Sequence, residues 1–192
     1  MAKVRTFVAV EIDPTVRRKA QQLIETFRKA QADVKWVALE NLHLTLKFLG
    51  EVRLEETAAV CAAVTQAAAD VAPFELEIRG AGAFPNPARP RTLWLACRQG
   101  TAQLTDLQQR IEVALEKLGY RPEARSFTPH LTIGRARSGG PATEELGRLL
   151  EQYAEYEVGR SDVAEVTVFA SQLGPQGPTY TALSHAPLEG EE

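Results

Sequence analysis

The sequence predicts an α+β fold of two pseudo-symmetric lobes, each an antiparallel sheet with helices on its outer face, with a groove between them. Three observations carry this. Strand-like and helix-like segments run strand, helix, strand, helix, strand, and the same order then restarts. One tetrad recurs in a chain with only three histidines: His-Leu-Thr-Leu from His43 and His-Leu-Thr-Ile from His130. The 87-residue offset between the tetrads also lays Phe7 on Trp94, Val8 on Leu95 and Pro14 on Thr101. Self-similarity at that length indicates a duplicated half-domain and not a solenoid. The repeat covers about 4–84 and 91–171 within one domain over 1–188, followed by a mobile acidic tail, 189–192. The competing arrangement is a parallel α/β sheet, in which strands and helices merely alternate.

Each element has a local reason. "VRTFVAVEI" alternates and is rich in β-branched residues, so it reads as a strand. Asp13-Pro14 supplies an N-cap and a proline at the first helical position, ahead of Val16, Ala20, Leu23, Ile24 and Phe27 at helical spacing. "LHLTLKFL" is the first histidine strand, "LEETAAVCAAVTQAAADV" an alanine-rich helix and "FELEIRGAGAF" a strand. Beyond the turn-rich "PNPARPR", "TLWLAC" is a strand. Thr101 caps a helix carrying Leu104, Leu107, Ile111, Leu115 and Leu118, which Gly119 closes. "HLTIGRA" is the second histidine strand; a helix through Leu146, Leu149, Leu150 and Tyr153 and the strand "VAEVTVFA" complete the second half.

Composition narrows the function. The chain has 192 residues, of which 44% are hydrophobic and 24% charged, as in a soluble globular protein. A net charge of -3 argues against a protein that grips long duplex through a broad basic face. A small anion or one nucleic-acid end remains suitable. The short apolar run near the N-terminus meets Glu11 and Asp13 too soon for a signal peptide or membrane span, which predicts a cytoplasmic protein with no membrane partner. Cys61 and Cys97 lack metal-ligand or redox spacing and are expected to be reduced, buried thiols.

The histidine strands carry the chemistry. Alternation puts His43 and Thr45 on one face, with Leu44, Leu46 and Phe48 opposite; His130 and Thr132 share a face in the same way. If the two fronts meet across a groove, two imidazoles and two hydroxyls share one site. An imidazole pair can hold one neutral ring as base and one protonated ring as acid near neutral pH. Hydroxyls donate to phosphate oxygens without adding charge. The set suits in-line attack at phosphorus without a metal or other cofactor. The bland alternative is a pair of half-buried strands whose histidines are merely hydrogen-bonded. Metal binding is the other rival, but no Asp, Glu or Cys stands at close ligand spacing to either histidine. His185 lies outside the repeat and is expected to be a surface residue. Nothing in the motifs themselves decides which histidine is acid and which base.

These residues resemble the two-histidine (2H) phosphoesterase superfamily, defined by two His-x-Thr-x motifs, and within it the RNA 2',3'-cyclic phosphodiesterases, also called the bacterial and archaeal 2'-5' RNA ligase family. "RTFVAVEI", "WVALENLHLTLKFLGEV", "FPNPARPRTLWL", "FTPHLTIGR" and "SQLGPQGPTYTAL" carry the resemblance over nearly the whole chain. It implies hydrolysis of a terminal RNA 2',3'-cyclic phosphate to a 2'-phosphate, without metal, with His43 as proton donor and His130 as proton acceptor. Thr45, Thr132 and Arg135 are implied as substrate-binding residues. The implied partners are RNA 3' ends bearing the cyclic phosphate, or small cyclic nucleotides, met by a monomer. Two alternatives stay open: physiological 2'-5' ligation without ATP, and a non-catalytic protein that binds RNA ends or nucleotides. Strict alternation places Arg135 opposite His130, so either Gly134 permits a bulge or Arg135 sits past the strand end. Arg89, Arg91 and Arg137 are candidates for added positive charge at the groove, and Phe127 for core packing ahead of base stacking.

Overall fold

The computed structural model describes residues 2–191. In chain order the elements are β1 (Lys3–Glu11), α1 (Pro14–Arg28), β2 (Val34–Trp36), β3 (His43–Arg53), α2 (Thr57–Ala69), β4 (Phe74–Phe84), β5 (Thr92–Cys97), α3 (Thr101–Glu116), β6 (His130–Ala136), α4 (Pro141–Gln152), β7 (Glu157–Val163), β8 (Glu165–Gly174) and β9 (Gly177–Pro187). Short 3-10 turns at Leu39–Asn41 and Leu54–Glu56 lead into β3 and α2.

The strands form two sheets, in the orders β3-β1-β8-β9 and β2-β6-β5-β4-β7, and every described pair is antiparallel. The parallel arrangement is thereby excluded. Strands β1 and β3 belong to the first sheet, whereas β4, which follows them in sequence, pairs with β5 in the second. At the equivalent place after β5 and β6, β8 returns to pair with β1. Each lobe is therefore assembled from both halves of the chain, and the strand exchange ties the lobes together.

Helix α1 buries all five of its periodic residues, Val16, Ala20, Leu23, Ile24 and Phe27, and packs on β7. Helix α4 lies on β4; α2 covers β8 and β9 and runs beside α3, which reaches β3. Leu104, Leu107, Ile111 and Leu115 are buried, but Leu118 lies beyond the end of α3 and is 44% exposed. Thr101 is not the cap; Gly100 precedes the helix in left-handed backbone, packed so close to the Glu75 carbonyl that a side chain has no room. Asp13 precedes α1 without capping it. Its amide donates to Ser161 Oγ at 2.9 Å, and its Oδ2 accepts from the Asp162 amide at 3.3 Å, so the helix start is tied to β7.

Strands β2, β7 and β9 are additions to the sequence-based list. Strand β7 buries Val158, Ser161 and Val163, a pattern with too little apolar content to stand out. Strand β9 is an edge strand whose residues are mostly exposed. Leu188, the last residue before the expected tail, is buried, and within the tail the Gly190 amide donates to the Val71 carbonyl at 3.1 Å. Glu192, its last residue, lies outside the described residues. Cys97 is buried, which pushes its thiol up to about 12, while Cys61 is half-buried; both are free thiols. No described helix is long and apolar enough to cross a membrane.

Candidate active site

The two histidines open strands β3 and β6, which approach each other from different sheets. Both rings are held by the same local device. His43 Nδ1 lies 2.6 Å from the Asn41 carbonyl, and His130 Nδ1 lies 2.6 Å from the Thr128 carbonyl. A carbonyl can only accept, so each Nδ1 carries the hydrogen and each Nε2 is left with its lone pair. His43 Nε2 is 3.1 Å from Thr45 Oγ1, so the two side chains share a face. Thr132 stands in the matching position of β6, opposite Trp94.

The surroundings of the rings differ. His43 stacks on Phe7 at 4.9 Å and meets the edge of Tyr180 at 5.3 Å. Burial in this aromatic setting pushes its pKa down to about 4, opposed by the hydrogen bond to Asn41 and aided by the Arg17 charge. His130 meets the edge of Phe84 at 5.1 Å, and Phe84 in turn touches Trp94 at 5.3 Å. Trp94 lies across Gly82, where a Cβ would collide with the indole.

Alternation fails midway along both strands, at the same place. In β3, Thr45 pairs with Ala9 and Lys47 with Val8, leaving Leu46 without a partner. In β6, Thr132 pairs with Trp94 and Gly134 with Leu93, leaving Ile133 without one. Each is a β-bulge, and residues beyond it change face. Phe48 is thus not opposite His43, as strict alternation requires; it lies 5.9 Å from Phe7 on the groove side and is 57% exposed. Lys47 turns inward instead, 1% exposed, and its Nζ donates to Glu112 at 2.8 Å and to the Arg121 carbonyl at 2.9 Å.

The second bulge resolves Arg135 in favour of re-aiming. Arg135 is exposed on the face of His130 and Thr132, and its Nη1 donates to Thr92 Oγ1 on the neighbouring strand at 3.0 Å. Gly134 fills the inward position, where a Cβ would come within 2.9 Å of Val34 and Trp36. Lys35 pairs with Arg135 across β2 and adds a second cation there. Arg137 faces Asp33 at 3.8 Å, and Arg89 and Arg91 are exposed. Phe127 packs partly buried against the core.

Arg17 is a site residue that sequence patterning passed over, because it occupies the polar side of an amphipathic helix. It lines a cavity of about 270 Å³ with Glu11, Glu40, His43, Phe169 and Tyr180. His185 is exposed, as expected, but is not isolated: its Nδ1 lies 2.8 Å from Glu165 and 3.3 Å from Thr167 Oγ1. Glu11, Glu165 and His185 form the one group among the described residues whose donor atoms lie close enough together to share a cation. Neither catalytic candidate is part of it.

Residues 15–174 match the family described as the 2'-5' RNA ligase superfamily. The chain is 40% identical over 180 residues to a protein of Methanothermobacter thermautotrophicus named RNA 2',3'-cyclic phosphodiesterase, covering 93% of this chain and 96% of that one. A protein of the same name from Aquifex aeolicus is 31% identical over 195 residues, covering 99% and 100%. Among solved structures, one from Thermus thermophilus superimposes with a TM-score of 0.81 at 27% identity, covering 98% of this chain and all of that one. E. coli LigT complexed with 3'-AMP does so with a TM-score of 0.77 at 26% identity, covering 98% and 99%. With its paired His-x-Thr strands on a matching fold, the chain belongs to the 2'-5' RNA ligase superfamily of two-histidine phosphoesterases.

Proposed function

We propose that the protein hydrolyses the 2',3'-cyclic phosphate at an RNA 3' end, or of a small cyclic nucleotide, to a 2'-phosphomonoester. Water attacks phosphorus in line with the 3' oxygen. His130 Nε2 takes the water proton, the bond from phosphorus to the 3' oxygen breaks, and Nε2–H of a protonated His43 delivers a proton to that oxygen. The products are a 2'-phosphate and a free 3'-hydroxyl. Thr45 and Thr132 hold the non-bridging oxygens, and Arg135 neutralises charge that develops on them.

The observation that carries this reading is the duplicated tether. Two imidazoles, on β3 and β6, each have Nδ1–H committed to a backbone carbonyl, which leaves both Nε2 atoms for proton transfer. Neither role needs a metal, and a single chain carries both histidines, so the unit of function is the monomer. The relatives named as cyclic phosphodiesterases support the substrate class. A 5'-hydroxyl in place of water gives a 2'-5' linkage through the same transition state, and the matched family's name keeps this as the second reading.

The decisive experiment offers RNA ending in a 2',3'-cyclic phosphate to the wild type and to H43A and H130A, with EDTA present. A 2'-phosphate product and a loss of roughly 10²- to 10⁴-fold in rate for each variant are expected. Wild-type turnover by both variants, or activity that requires an added divalent metal, would overturn the two-histidine mechanism.

A further inference from the structure

Resting on that reading, we propose that the cavity beside His43 is a nucleobase subsite that selects guanine in the nucleoside bearing the cyclic phosphate. At about 270 Å³ it suits a single ring system and not a dinucleotide. Phe169 and Tyr180, 6.2 Å apart, provide an aromatic wall on which a base can lie.

The polar lining determines which base fits. Arg17 lines the cavity; its Nε is buried, and its Nη2 reaches the Ile12 carbonyl only at 3.5 Å. An acceptor in the cavity therefore meets the terminal nitrogens of the guanidinium, which donate in a planar fork. That acceptor is not another phosphate, because Glu11 and Glu40 line the same cavity and would repel it. A neutral group with acceptors on one edge and donors on the next satisfies both signs. Guanine has this pattern: O6 and N7 accept a bidentate arginine, while N1–H and the N2 amino group donate to a carboxylate.

Glu11 and Glu40 are the carboxylates of the lining, and that edge falls to Glu11, which pairs with His43 across β1 and β3. The Glu11 carboxylate also lies beside Thr167 Oγ1, at 3.5 Å from its Oε2, and beside Glu165 and His185. Adenine would instead turn its N6 donor toward Arg17 and offer Glu11 no N1–H. Pyrimidines lack the second ring that carries N7.

The test compares kcat/KM for the four nucleoside 2',3'-cyclic monophosphates in the wild type, R17M and E11Q, with calorimetric binding of 2'-GMP and 2'-AMP alongside. A guanosine-to-adenosine ratio of about ten or more is expected in the wild type, falling toward one in each variant. The calorimetric ratio should follow it. Should R17M fail to fold, E11Q decides. Equal rates and affinities for the four bases, or a preference that survives both substitutions, would overturn the subsite. If none of the cyclic nucleotides is hydrolysed, the hydrolytic reading fails instead, while the 2'-GMP to 2'-AMP affinity ratio still decides the subsite.

Discussion

Leu46 and Ile133 occupy the same structural position 87 residues apart, each being left out of the ladder directly after the threonine of its histidine strand. The bulges decide what stands beside each of the two motif histidines. Past Leu46, the groove receives Phe48 and the interior receives Lys47; past Ile133, the groove receives Arg135 and the interior receives Gly134. One backbone device thus supplies an aromatic surface on one wall and a cation on the other. That asymmetry is what two near-identical motifs need in order to bind an asymmetric substrate.

Arg135 and Phe48 should separate in their substrate dependence. Losing a charge-assisted bond to phosphate predicts that R135A lowers kcat/KM about ten-fold or more on any cyclic phosphate. Lysine should restore little of it, because it lacks the planar fork. F48A removes a stacking surface, so it should raise KM several-fold on oligonucleotides and less on mononucleotides. Steady-state kinetics on both substrate lengths check this. Equal losses on the two lengths for F48A would place Phe48 outside the path of the RNA.

Lys47 and Glu112 form the most buried ion pair described, at 1% and 12% side-chain exposure, and join the first histidine strand to α3. The same ammonium holds the Arg121 carbonyl in the segment that leads to His130. Removing one partner strands the other, so K47M should cost about 3 kcal/mol in denaturant unfolding. The double variant K47M/E112L removes both charges and should recover most of that loss. An undiminished penalty in the double variant would mean that the loss comes from packing and not from an orphaned charge.

How much of this was visible beforehand follows from what each signal encodes. Strands β4, β5 and β6 coincide with their sequence-based spans because alternation and turn-forming residues bound them on both sides. The strand exchange was hidden, since local pattern specifies a strand but not its neighbour. The bulges were hidden as well, because Leu46 and Ile133 are ordinary apolar residues in apolar strands. As a result alternation places Phe48 on the face opposite His43, whereas it is exposed beside the groove and Lys47 is the residue buried past the bulge. His43 and His130 needed no such detail, because both precede the irregularity.

Acid should destabilise the fold through His43. Its folded pKa of about 4 lies below the ordinary histidine value, so the unfolded chain takes up the proton first. The contribution is complete above about pH 6.5 and is lost as pH falls toward 4, on the order of 3 kcal/mol at most. Urea unfolding of the wild type and H43Q at both ends of this window tests it. The substitution should flatten the pH dependence; parallel curves for the two proteins would show that another group controls it.

The same low pKa bears on the division of labour between the histidines. A proton donor must be protonated, and in the free protein His43 is neutral above about pH 4. If His43 is the acid, the active free enzyme is therefore a minor form. Either assignment needs one protonated and one neutral ring, and the two singly protonated forms keep a fixed ratio at every pH, so kcat/KM has the same shape whichever ring is the acid. A leaving group that needs no proton separates the roles. With a cyclic phosphorothiolate whose bridging 3' oxygen is replaced by sulfur, the thiolate departs unprotonated, so the variant lacking the acid should recover most of its rate and the variant lacking the base should not. Recovery by H43A alone assigns donation to His43; recovery by H130A alone assigns donation to His130 and proton abstraction to His43.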